Sequence, residues 1–156
     1  MTSEHTVANI KSWEDLCEFI DHLPESSWKD WKSLAWRFVH YGTDRKFNRY
    51  FRAGQSMSTL VFSTLDHHGL QYEARVLVTL RPPDELKLVY LPAVPAIKGD
   101  QSLEYDLALE EALPTFQRFL NHLWEMTMSD PLPSDLRSPQ QTFKAPVITS
   151  ADAEVG

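Results

Sequence analysis

Residues Gln71–Arg81 alternate in polarity. Tyr72, Ala74, Val76, Val78 and Leu80 fall on one side of an extended chain; Gln71, Glu73, Arg75, Thr79 and Arg81 fall on the other, with Leu77 the exception. A period of two marks a strand with one face in a core and the other toward water. Met57–Leu65 and Glu85–Leu91 flank it and read as strands too. The connections are short. Asp66-His67-His68-Gly69 has the composition of a hairpin turn, and Arg81-Pro82-Pro83-Asp84 cannot continue a ladder because proline lacks the N–H. Phe47–Ala53 alternates as well and predicts a further strand, with Gly54–Ser56 turning into the next. Four strands joined this way predict an antiparallel meander.

Helical periods flank the strands. Trp13–Leu23 places Trp13, Leu16, Cys17, Ile20 and Leu23 on one face, with Ser12 as the expected N-cap and Pro24 as the stop. Trp28–Tyr41 gathers Trp28, Trp31, Leu34, Ala35, Phe38 and Tyr41 on one side, with Ser27 as cap and Gly42 as a left-handed exit. Glu104–Met126 reads as one long amphipathic helix, expected to kink at Pro114 rather than break there. The order ααββββα predicts an α+β fold, a two-layer sandwich with all helices on one sheet face. The opposite face, carrying Arg75, Leu77, Thr79 and Lys87, is left to water or a partner.

The expected organisation is a flexible N-terminus over 1–11, one α+β domain over 12–128 and a flexible proline-containing tail over 129–156. The tail has little to bury beyond Phe143 and Val147, so its removal is expected to leave stability unchanged. No apolar run approaches the roughly 20 residues of a membrane span, and Met1–Asn9 lacks the basic start and apolar run of a signal peptide. A single cysteine, Cys17, precludes an internal disulfide. These features predict a cytoplasmic protein.

No motif points to a reaction. Cys17 lies among apolar positions with no cation beside it. His67 and His68 are adjacent in a turn and make a poor chelate, and Asp21-His22 and His40 read as surface groups. The isolated glycines form no phosphate-binding loop, and the acidic pairs Glu14-Asp15 and Glu110-Glu111 sit on solvated helix faces. No catalytic residue, metal or cofactor is therefore expected.

Charge is unevenly placed. The net charge is −7, yet 28–52 holds seven bases against two acids, together with eight aromatic residues. Cations for phosphate and rings for stacking are what nucleic acid requires, although the overall charge opposes a polyanion. Trp28, Trp31, Phe38 and Tyr41 are accounted for by the core. The remaining partner-binding candidates are Trp36, Lys29, Lys32 and Arg37 on the helix, and Arg49, Tyr50 and Arg52 after it. Trp36 stands opposite the apolar face. It is covered by its own chain, simply exposed, or an anchor for a partner. The leading functional expectation is a small acidic interaction protein (adaptor, chaperone, inhibitor or immunity-type factor) whose partner is another protein; a homodimer would form through the open sheet face. Nucleic-acid binding through 28–52 is the alternative, and an enzyme with a spatially assembled site comes third.

Overall fold

A computed structural model of the chain describes residues 3–64, 73–82, 85–96 and 99–137. It is an α+β fold. Helices α1 (Glu4–Asp21) and α2 (Glu25–Asp44) lead into a 3-10 turn at Phe47–Arg49. Five strands follow: β1 (Arg52–Ser56), β2 (Thr59–Ser63), β3 (Arg75–Arg81), β4 (Glu85–Leu91) and β5 (Leu103–Ala108). Helix α3 (Leu109–Thr127) and a second 3-10 turn at Ser134–Leu136 complete the order. The strands form one antiparallel sheet in the order β1-β2-β3-β4-β5. Among the described residues no helix is long and apolar enough to cross a membrane.

The alternation of the third strand does what its period demands. Ala74, Val76, Val78 and Leu80 are buried, and their β4 counterparts Leu86, Leu88 and Tyr90 join them under the helices. The helices supply Trp13, Leu16 and Ile20 from α1, Trp31, Leu34, Ala35 and Phe38 from α2, and Phe116, Phe119, Leu120 and Leu123 from α3.

Five strands rather than four reflect a period that two patterns share. Tyr105, Ala108, Leu109 and Ala112 fit a helical repeat, but Leu103, Tyr105 and Leu107 also alternate with Glu104 and Asp106. Pairing along β4, from Glu85↔Ala108 to Tyr90↔Leu103, decides for the strand. Helix α3 therefore starts at Leu109, and it runs as one element through Pro114.

The expected strand at Phe47–Ala53 is also corrected. Phe47 and Phe51 are both fully buried, with rings edge-to-face at 5.8 Å, and the Phe51 N–H donates to the Phe47 carbonyl at 2.9 Å. A strand would send Phe47, Arg49 and Phe51 the same way; here Arg49 is exposed while both phenylalanines are buried, which a helical turn allows. The hairpin then falls at Met57-Ser58, leaving Gly54–Ser56 inside β1.

Both N-terminal helices begin earlier than their sequence signals suggested. Ser3 caps α1, accepting from the Thr6 N–H at 3.1 Å, so residues expected to be flexible are helical from Glu4. Ser12, the expected cap, is buried within the helix. Its hydroxyl donates to the Asn9 carbonyl at 2.6 Å and accepts from the Ala53 N–H at 2.9 Å, tying α1 to β1. Pro24, and not Ser27, stands at the N-cap of α2.

The exit of α2 is likewise displaced. Gly42 is inside the helix, and Lys46 takes the left-handed conformation at φ 66°. An L side chain there costs about 1 kcal/mol or more. Lys46→Gly is therefore expected to stabilise the fold by about 0.5–1 kcal/mol, read as a raised urea midpoint at unchanged slope. No gain would mean that the lysine side chain makes compensating contacts.

The chain after α3 docks as far as Arg137. Leu132 and Leu136 are buried at 4% and 3% exposure. Gln117 and Asn121 both donate to the Leu136 carbonyl at 3.2 Å, and the Trp124 indole donates to the Asp130 carbonyl. The expectation of a free segment from residue 129 is corrected for this stretch: two leucines and a set of amide donors offset the entropy of ordering it. Phe143 and Val147 lie outside the described residues, as do His67 and His68.

Candidate interaction surfaces

The outer side of α2 carries Lys29, Ser33, Arg37 and His40, all exposed. Trp36 is half-buried. It packs against the edge of the core and stacks on the His40 ring at 5.4 Å and 27°. It is thus neither enclosed nor free-standing.

Lys32 does not belong to that surface. Its ammonium turns inward and the residue is 7% exposed. Nζ donates to the Leu23 carbonyl at 2.9 Å and toward that of Asp21 at 3.4 Å, and it pairs with Glu25 at 2.8 Å. A cation at a helix C-terminus satisfies orphan carbonyls and meets the negative end of the dipole. The short link between the helices delivers Lys32 to that position, so its role is to close α1.

The second group of candidates also divides. Arg52 is 7% exposed, and its Nε donates to Asn9 Oδ1 at 3.0 Å. Asn9 Nδ2 in turn donates to the Arg49 carbonyl at 3.1 Å, so one buried asparagine on α1 holds both ends of the 49–52 segment. Tyr50 is half-buried, edge-on to Trp124 at 5.8 Å and 82°. Arg49 keeps its side chain exposed. Arg45 lies over the Tyr41 ring at 3.7 Å. Burial raises the Tyr41 hydroxyl above its ordinary pKa against the lowering effect of Arg45. The exposed cations of 28–52 are therefore Lys29, Arg37, Arg45, Lys46 and Arg49, with Lys32 and Arg52 committed to the fold.

On the sheet face away from the helices, the register sets Val61, Leu77 and Val89 side by side across β2, β3 and β4, with Glu104 continuing the row on β5. The adjacent row runs Thr59, Thr79, Lys87, Asp106. Thr59 and Thr79 share a hydrogen bond at 3.0 Å, and Lys87 reaches Glu104 at 2.9 Å. Leu77 and Val89 are half-buried, and Val61 is buried at 9% exposure. The result is an apolar row three strands wide, bounded by hydroxyls on one flank and charges at one end.

One buried polar cluster escaped the sequence reading. The side chain of Asp100, 4% exposed, accepts from the Tyr90 hydroxyl on one oxygen and meets His122 Nε2 at 3.0 Å on the other. The Tyr90 and His122 rings lie edge-to-face at 4.6 Å. Burial, reinforced by the hydrogen bond to Asp100 and its charge, pushes the Tyr90 hydroxyl far above the ordinary tyrosine range. The cluster pins the β4–β5 connection to α3. Its one sequence signal was a tyrosine at a core-facing position of β4, because a buried phenol needs a partner. Nothing nearby in sequence named that partner.

Cys17 is half-buried, and burial with Glu14 nearby raises its thiol, which suppresses the reactive thiolate. Among the described residues no group of three or more His, Cys, Asp or Glu side chains could hold a metal ion. No protein-family model matches the sequence, and no curated protein or solved structure matches it either.

Proposed function

We propose that this chain is a small acidic protein-interaction domain of the cytoplasm, an adaptor, chaperone, inhibitor or immunity-type factor, that docks a protein partner on its open sheet face. The observation that carries this reading is the row Val61–Leu77–Val89, in which Val61 is already buried while Leu77 and Val89 stay partly open. Branched apolar side chains are the residues a strand buries, and here they stand on the face that no described helix covers. An apolar centre rimmed by threonines, Lys87, Glu104 and Asp106 has the make-up of an interface. The exposed basic side of α2, with Trp36 stacked on His40, is a second and separate surface.

The test is a paired capture from the source cell with the wild-type chain and with Leu77→Lys/Val89→Lys. Both positions lie on the outer face, but they are opposed in register, so two lysines there should lower the melting point somewhat, and circular dichroism establishes that the variant is folded before capture is scored. Any specific partner of the wild type should be lost, because two buried ammonium groups in an apolar interface weaken binding by about 2 kcal/mol or more. A partner retained at full yield by the folded variant would remove the sheet face as the docking surface.

A further inference from the structure

The two edges of the sheet are treated differently. At β1 the start of the edge is covered by α1: the Ser12 hydroxyl takes the Ala53 N–H at 2.9 Å, and the Trp13 indole donates to the Phe51 carbonyl, just before the strand, at 2.8 Å. At β5 the backbone pairs with β4 along its inner side only. Among the described residues no other backbone or side-chain group bonds to Leu103–Ala108 on the outer side. Every second residue of an antiparallel strand turns both its N–H and its C=O outward, so this edge presents a ready template for another strand.

The side chains along the edge state which strand would fit. Glu104 and Asp106 are exposed on the outer face, while Leu103, Tyr105 and Leu107 are half-buried on the helix side. Lys87 pairs with Glu104 at 2.9 Å and lies opposite Asp106 in register. The edge keeps a negative excess, to which Glu110 and Glu111 in the first turn of α3 add.

A second copy of β5 is disfavoured by symmetry and charge. Opposed residues of an antiparallel pair share a face, and a two-fold axis through a pair of sheet edges sets like-facing residues opposite one another. In the registers that keep most of the strand paired, Glu104 then meets Asp106 of the other copy, or Asp106 meets itself. Like charges directly opposite destabilise a ladder.

We propose that the outer edge of β5 is a strand-addition site for an extended segment of a partner protein in which lysine or arginine alternates with apolar residues. The basic side chains lie beside Glu104 and Asp106, and the apolar ones extend the layer of Leu103, Tyr105 and Leu107. The backbone ladder supplies the affinity and the alternation the selectivity. A recess lined by Arg81, Glu85, Asp106 and Ala108 marks the end of the edge and takes the residue that leaves the ladder. This inference rests on the reading of the chain as a protein-interaction domain but uses a different element from the apolar row.

The probe is the peptide Thr-Lys-Val-Lys-Val-Lys-Thr, titrated into the full-length isotope-labelled chain while backbone amide shifts and exchange are followed. Alternating amides of β5 should shift and become protected. A peptide N-methylated on every second amide should leave them unprotected, and a peptide of the same composition with its lysines in one block should bind at least about fivefold more weakly. Asp106→Lys should reverse the preference between the lysine peptide and its glutamate counterpart. Equal binding of the methylated or blocked peptide would reduce the effect to charge attraction and overturn the proposal. So would unchanged β5 amides at millimolar peptide, which would mean that the acids only keep the edge unpaired. If the peptide fails while Leu77→Lys/Val89→Lys still loses its partner, this inference falls alone. If the peptide pairs and the partner survives that double change, the sheet-face reading falls and the edge stands.

Discussion

Phe116→Ala is expected to destabilise the fold by about 3–5 kcal/mol, a large share of the roughly 5–15 kcal/mol that holds a domain together. Phe116 is fully buried at the point where α3 meets both α2 and the sheet. Its ring lies 5.3 Å from Phe38 at 83°, 6.5 Å from Tyr41 and 4.9 Å from Phe62. Truncation removes the transfer energy of the ring and leaves a cavity among aromatics on two elements, Phe38 and Tyr41 of α2 and Phe62 of β2. Those rings cannot close over the gap without moving helices, so relaxation is limited. Chemical denaturation of the variant checks this. A loss under about 1 kcal/mol would show that α3 stands outside the cooperative core. The Tyr41 hydroxyl, which donates to Gln117 Oε1 at 2.8 Å, gives a separate readout of the same contact. Its fluorescence or exchange should change in Phe116→Ala even where the global midpoint is still resolvable.

The same residues show what a sequence can and cannot express. Ala74, Val76, Val78 and Leu80 announced their face because their neighbours, Leu77 apart, agreed with the period of two. Phe38, Phe116 and Leu120 did so with a period of 3.6. Leu103–Ala108 did not, since a short apolar run satisfies both periods and only the ladder with β4 chooses between them. The candidate surface was legible in the same partial way. Exposure of Lys29 and Arg37 follows from the helical wheel. The inward turn of Lys32 does not, because its long stem lets the ammonium leave its own face and reach carbonyls at the end of another helix. Arg52 finds Asn9 across 43 residues of sequence. Asp100 meets Tyr90 and His122 by a fold that brings a connector, a strand and a helix together. Polar partnerships of this kind have no periodicity, so no local pattern encodes them.

The corrections also move the chemistry of the molecule. With Lys32 and Arg52 serving the interior, the basic segment keeps fewer cations for a ligand than its sequence promised. The acids of β5 and the start of α3 remain outside. Within 28–52 the exposed positive charge is that of Lys29, Arg37, Arg45, Lys46 and Arg49, on α2 and the turn that follows it.

Gly42→Ala should destabilise the protein, against the usual direction of such a change in a helix. Alanine in place of glycine within a helix ordinarily gains about 1 kcal/mol. Here a Cβ on Gly42 would lie 2.4 Å from Cη2 and 2.8 Å from Cζ3 of Trp13, well inside contact distance. The indole cannot give way. Trp13 is 2% exposed, its Nε1 donates to the Phe51 carbonyl at 2.8 Å, and its ring packs on Phe62 at 5.4 Å. Either α2 moves off α1 or the indole loses its hydrogen bond. Overpacking of this severity costs about 3 kcal/mol, which outweighs the propensity gain and leaves a net loss of about 2 kcal/mol. The decisive comparison is with Trp13→Leu, whose shorter side chain vacates the space. That variant alone should be strongly destabilised, but adding Gly42→Ala to it should then stabilise by up to about 1 kcal/mol. The sign of the alanine effect inverts, giving a coupling of about 3 kcal/mol between the two positions. Gly42→Ala that proved neutral or stabilising in the presence of Trp13 would show that the helices yield at this crossing. The glycine would then be dispensable to the seat of α2 on α1.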